Sequence, residues 1–152
     1  MLERLYRIKN SKKGFTLVEL IVVLVILAIL LAILVPSLTK WIDKAKEKQV
    51  LVNARTVYLA CQTEASEKYG TDSAFTGAKY TVSSAAVTYA SSAYTVTGEV
   101  AKDIANLSDV RVNYTFSCTV DNSGNVTAFT YTQGSVTVTL NGGSLTTATS
   151  KG

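Results

Sequence analysis

From Leu20 to Val35 the chain carries no polar side chain, and the five residues before it, Phe15 to Glu19, add only Thr16 and Glu19 to the polar count. As a helix rising 1.5 Å per residue, Phe15 to Val35 spans about 30 Å, the thickness of a bilayer's hydrocarbon core. Such a helix has no polar face to turn toward water. It belongs in lipid or among other apolar helices. The flanking charge sets its orientation. Arg4, Arg7, Lys9, Lys12 and Lys13 against Glu3 account for the whole formal charge of +4, so the rest of the chain is balanced. A basic leader of this kind stays on the cytoplasmic side of a membrane. The same distribution argues against nucleic-acid binding by the body, because phosphate recognition needs clustered cations and none cluster after position 48.

A secretory signal peptide shares this plan of a positive region followed by an apolar one. Its apolar run is usually about 7–15 residues and ends at a small-x-small cleavage site. Here the run is longer and no such site closes it. The chain continues instead in helical spacing. Leu38, Trp41, Ile42 and Ala45 recur at three and four, followed by Val50, Ala54, Val57 and Cys61. The spacing predicts one long helix over residues 15–68, transmembrane over 15–36 and a stalk beyond, with Gly70 as its stop. Pro36 lacks an N–H and crowds the preceding turn, which predicts a kink or a loosened turn at residues 32–36.

Glu19 is the anomaly. An ionised carboxylate facing lipid costs a few kcal/mol, and the apolar segment offers no cation to pair with it. A cut between Gly14 and Phe15 would create an amine four residues away, on the same helix or on a neighbour's.

Gly14, Phe15, Thr16, Leu17, Val18 and Glu19, followed by the apolar run, resemble the N-terminus of a type IV prepilin. The shared features are a short basic leader ending in glycine, phenylalanine after the cut, and glutamate as the fifth residue of the processed chain. Pro36 matches a proline common in the pilin stalk. The resemblance is specific over residues 12–40 and beyond residue 70 implies only a small α/β head. It implies that an inner-membrane prepilin peptidase removes residues 1–14 and that the new Phe15 amine is methylated. Glu19 then neutralises a neighbour's amine and sets registry in a helical polymer of identical chains.

The remaining implied partners are the inner-membrane pilus assembly machinery, driven by a separate cytoplasmic ATPase, and minor pilins. The precursor is expected as a single-pass protein of the cytoplasmic membrane with its head outside. The product is expected as an extracellular filament serving adhesion, twitching motility or biofilm formation. A minor pilin, or a pseudopilin of a type II secretion or DNA-uptake system, shares the same N-terminus and stays open. Enzymatic function is not expected. The chain has no histidine, only two cysteines and no Walker motif, and no cofactor or metal ion is implied.

The fold class expected is α+β, a long N-terminal helix packed against a small antiparallel sheet in a head at residues 69–152. Val100, Ile104 and Leu107 space a short helix over 99–107, with Thr97 or Gly98 as a weak cap. The Ser-, Thr-, Ala- and Tyr-rich stretch 71–98 holds one or two short strands in a long loop. From Val110 to Val120 apolar and polar residues alternate, which predicts a half-buried strand with Cys118 on its covered face. The Asp121–Asn125 turn leads to a second strand over 126–132, and Gln133-Gly134 to a third over 136–140, with an edge strand near Leu145. The sheet is expected within about residues 109–147. Cys61 on the helix stripe and Cys118 point to one interface, as a disulfide or as two buried thiols. Asn106, Asn113 and Asn125 stand in Asn-x-Ser/Thr triplets, a frequent pattern in a Thr-rich body.

Overall fold

The computed structural model describes residues 14–91 and 93–149. The basic leader up to Lys13 and the extreme C-terminus lie outside the described residues. The chain divides into two compact units after Asp43. Helix α1, Leu17–Thr71, contributes to both.

In the first unit α1 is apolar on every side from Leu20 to Val35 and its side chains are exposed, with Ile21, Leu24 and Leu31 each about half accessible (49%, 57% and 56%). The helix runs through Pro36 as a regular α-helix, and the Thr39 hydroxyl donates to the Pro36 carbonyl at 3.1 Å. The anticipated loosening at residues 32–36 does not interrupt it. The proline removes one N–H, and the turns on either side keep theirs.

In the second unit α1 becomes one-sided. Val50, Ala54, Val57, Ala60, Cys61 and Ala65 are buried, the stripe anticipated from the three- and four-residue spacing. The helix ends one residue beyond Gly70, and Gly70 does not adopt the left-handed conformation of a glycine stop. Asp72 ends it instead. Its N–H donates to the Lys68 carbonyl at 2.8 Å, and its carboxylate accepts from the Ala74 N–H, the Lys79 ammonium and the Tyr80 hydroxyl. A one-turn helix, α2, follows at Gly77–Tyr80.

The sheet has six strands in the order β2-β1-β3-β4-β5-β6, with every pairing antiparallel. They are β1 Val82–Ala90, β2 Ala93–Thr95, β3 Tyr114–Val120, β4 Val126–Gln133, β5 Val136–Asn141 and β6 Ser144–Thr149. Helix α3, Glu99–Ser108, lies between β2 and β3 in sequence and starts at Gly98 without a side-chain cap. The sheet therefore begins well before residue 109. The stretch read as a loop with short strands contributes the nine-residue β1, which pairs with β3 and places β3 in the sheet interior.

On β3 the alternation holds, with Tyr114, Phe116, Cys118 and Val120 buried. The strand starts four residues later than Val110, because Asp109 takes the left-handed conformation (φ 48°) and Arg111 turns back to chelate its carboxylate at 3.0 and 3.1 Å. The two-residue turn Gly142-Gly143, with φ of 55° and 82°, needs glycine at both positions and joins β5 to β6.

The inner faces of β1, β3, β4 and β5 meet α1 and α3 in one core around Val57, Ile104, Tyr114, Tyr131 and Val138. Tyr131 is fully buried, packs at a 30° tilt against the Tyr114 ring at 5.1 Å between centroids, and donates its hydroxyl to Gln133 at 2.8 Å. Gln133 in turn accepts from Asn53 of α1 at 3.0 Å, and Gln62 bridges α1 to the β3–β4 turn through Gly124 and Val126. The amide side chains fix the helix's register on the sheet where apolar packing alone would let it slide.

The Asp72 cluster carries a pH dependence. Hydrogen bonds from Lys79 first, then from Tyr80 and the Ala74 N–H, hold the Asp72 carboxyl down at about 2, below its ordinary 3.8. A depressed carboxylate contributes stability that is fully present above the unfolded value and is lost as pH falls through the folded one. Asp72→Asn should therefore unfold at lower denaturant than wild type at pH 7, and the two curves should converge as the pH is brought from 4 toward 2. A gap that persists unchanged at pH 2 would contradict this.

Candidate functional site

The residues singled out for processing and assembly lie at the start of α1. Gly14 has nothing within 4 Å of where a Cβ would stand, and Gly14 and Phe15 precede the helix in an open, exposed segment. A backbone of this kind can enter an enzyme's cleft without local unfolding. Phe15 is 77% exposed. The helix proper starts at Leu17, and Thr16 occupies the capping position, its hydroxyl accepting from the Glu19 N–H at 3.2 Å.

Thr16-x-x-Glu19 is half of a capping box. Sequence reasoning passed over it because the carboxylate drew attention to charge rather than to helix initiation. Glu19 is the acidic residue of the first turn, where the helix dipole favours a negative charge. The dipole offsets only part of an ion's desolvation. The nearest basic residues in sequence are Lys13, outside the described residues, and Lys40, more than five turns along α1. Within the described N-terminal unit nothing cationic stands in the first turns of the helix, so Glu19 is an exposed carboxylate on an otherwise apolar rod. Pro36 lies on the same helix more than four turns further on.

The cysteines form a separate site inside the head. Cys61 of α1 and Cys118 of β3 are each 1% exposed, and both are free thiols. The structure thus holds the anticipated pair together without a disulfide. The hydrogen bond from Cys61 to Cys118, then burial, push the Cys61 thiol far above its usual range, and accepting that bond holds Cys118 below it. Among the described residues no group of three or more His, Cys, Asp or Glu side chains is placed to hold a metal ion.

A family model described as the prokaryotic N-terminal methylation motif matches residues 9–35. The match includes Gly14, Phe15 and Glu19 and ends one residue before Pro36. No curated protein and no solved structure matches the chain. The motif, followed by one helix long and apolar enough to cross a membrane and by an antiparallel sheet packed on that helix, fits a type IV pilin or pseudopilin. It points to a structural subunit, to processing by a prepilin peptidase and to membrane anchoring of the precursor.

Proposed function

We propose that this chain is the subunit of an extracellular type IV pilus filament. The observation that carries the proposal is the coincidence of the methylation motif at residues 9–35 with a helix whose apolar side chains are exposed all round. A rod of this kind is stable in lipid before assembly and, after assembly, only where other helices surround it. Residues 1–14 act as the cytoplasmic leader, 15–36 as the membrane segment and the rest of α1 as the stalk. The peptidase cuts after Gly14, and the Phe15 amine is methylated.

In the polymer the amine of one subunit meets Glu19 of another. Both charges leave water together, which is favourable only when they are paired. Glu19 thereby sets registry, and Pro36 gives the stalk a point where one helix hydrogen bond is already missing. The assembly machinery of the inner membrane and minor pilins complete the system. The filament serves adhesion, twitching motility or biofilm formation. The second reading, a minor pilin or a pseudopilin of secretion or DNA uptake, shares every feature of the N-terminus.

We also propose that Cys61 and Cys118 become a disulfide after export. The thiolate of one cysteine attacks the disulfide of an exported oxidoreductase, and the other cysteine then displaces the enzyme's thiol, leaving that enzyme reduced. Because both sulfurs are buried, this happens before the head closes. The bond would contribute about 4 kcal/mol in the loop-entropy model.

Imaging cells with and without this chain tests the main proposal, together with the composition of sheared filaments. Loss of long filaments whose chief component is this chain supports it, with no alkylatable thiol after denaturation if the disulfide is present. A trace component in filaments that persist without it supports the second reading.

A further inference from the structure

Lysine is depleted from the translocated side of a membrane protein, over about 15–20 residues beyond the span. This chain carries a cluster there. Lys40, Lys44, Lys46 and Lys48 follow Pro36 closely, with only Asp43 and Glu47 among them to balance the charge. The basic leader outweighs this cluster and keeps the orientation, yet cations in that position work against translocation. Two of these lysines line one cavity.

Within the second unit a cavity of about 360 Å³ is lined by Lys44, Glu47, Lys48 and Leu51 of α1 and by Thr147 of β6. Sites for small ligands usually measure about 300–1,000 Å³. Its lining is amphipathic. Leu51 is half-buried, and the lysine stems beside it are apolar up to the ammonium groups that end them. Lys44, Lys48 and Leu51 recur at four and three, which puts them on one face of α1. Glu47 is the one acid of the lining, and the Thr147 hydroxyl donates to its carboxylate at 2.7 Å. That bond ties the acid to β6 and leaves two cations against one carboxylate.

We propose that this cavity holds the phosphate and glycerol backbone of an anionic phospholipid, taken from the leaflet into which the head emerges. The inference rests on the reading of residues 15–36 as the membrane segment of the precursor. Charge complementarity selects an anion, and the apolar lining selects one attached to hydrocarbon. Continuity with the membrane segment selects a lipid. Lys44 is the eighth residue after Pro36 on the same helix, so the chain enters the head without a linker after leaving the bilayer. Side chains on a helix lean toward its N-terminus, which for α1 is the membrane end. The two stems therefore reach back toward the headgroups. The bound lipid holds the head of the waiting precursor at the membrane surface, and it offsets the cost of carrying lysines on that side.

The test reconstitutes the full chain in vesicles with rising fractions of phosphatidylglycerol in phosphatidylcholine, extracts it in mild detergent and identifies the retained phospholipid by mass spectrometry. Wild type is expected to retain phosphatidylglycerol in preference to phosphatidylcholine. Lys44→Gln/Lys48→Gln is expected to need more phosphatidylglycerol for the same retention, roughly five-fold more for each lysine removed. Lys46→Gln, a change outside the cavity lining, is expected to match wild type. The leader is the same in every variant, so lipid attracted by it drops out of the comparison. Should the double variant fail to fold, Lys48→Gln alone gives the single five-fold step. Retention of the two lipids in their bulk ratio by wild type overturns the proposal, as does a double variant that retains phosphatidylglycerol like wild type. So does an equal loss in Lys46→Gln, which would mean attraction to the charged surface only. A wild-type chain that does not enter vesicles overturns the membrane reading, and this inference with it.

Discussion

Glu19→Ala is expected to remove filaments from the cell surface while leaving the chain in the membrane and cut after Gly14. Losing one partner of a desolvated ion pair leaves the other, here a neighbour's Phe15 amine, buried and unpaired. That costs roughly 3 kcal/mol or more. At about 1.4 kcal/mol per tenfold, the equilibrium for adding one subunit falls on the order of 100-fold, enough to stop growth at cellular concentrations.

The capping geometry supplies the control. The Glu19 N–H, not its carboxylate, makes the bond to Thr16, so alanine at position 19 keeps that cap. Thr16→Ala does the reverse, giving up a cap worth about 1 kcal/mol and retaining the charge. If Glu19 serves assembly, Glu19→Ala loses filaments and Thr16→Ala keeps most of them. The readout is the ratio of this chain in the sheared-filament and membrane fractions. Equal loss in both variants would mean that Glu19 only starts the helix, and normal assembly of Glu19→Ala would end the registry role altogether.

Gly77→Ala should be the most damaging small substitution in the head. Gly77 opens α2 against the end of β3, and a Cβ there would overlap the Val120 carbonyl and crowd Asp121. These are backbone atoms, and the surroundings hold them. The Gly77 N–H donates to Asn122 at 3.0 Å, the Thr81 hydroxyl donates to the Gly77 carbonyl at 2.9 Å, and the same hydroxyl accepts from the Val120 N–H. Nothing can move aside without breaking one of these bonds, so the expected loss is about 3 kcal/mol, the upper end for overpacking.

Gly70→Ala makes the contrast, because nothing lies within 4 Å of its Cβ position and its backbone is helical. It should raise stability by roughly 0.5–1 kcal/mol. Denaturant midpoints of the two variants in the oxidised and the reduced protein check both signs. A Gly77→Ala variant as stable as wild type would contradict the packing described for α2.

The long helix and the inner face of β3 were legible from sequence because both are written in large apolar residues at a fixed period. β1 was legible only as one or two short strands in a long loop, because its buried positions are Ala85 and Val87, and its tyrosine, Tyr89, is only half-buried. Small residues carry little periodic signal, so the nine-residue length of the strand went unread. The start of β3 was misplaced for a different reason. Val110 and Val112 continue the alternation, but the Asp109–Arg111 turn holds this stretch out of the ladder, Asn113 turns its side chain to accept from the Tyr89 N–H, and pairing begins only at Tyr114. Part of that is decided by a residue of another strand.

At the N-terminus, Gly14, Phe15 and Glu19 stood out as a group because they lie at close spacing in one short stretch, inside the residues that the methylation motif spans. The demand on Gly77 was not legible, because it arises from Val120 and Asp121, distant in sequence.

The central claim, that the chain is cut and then polymerised, is tested most directly by the N-terminus of the chain recovered from sheared filaments. Intact mass and the N-terminal peptide should show a chain beginning at Phe15, lacking residues 1–14 and carrying a methyl group on its amine. A filament chain that still begins at Met1, or filaments from which this chain is absent, would contradict the account.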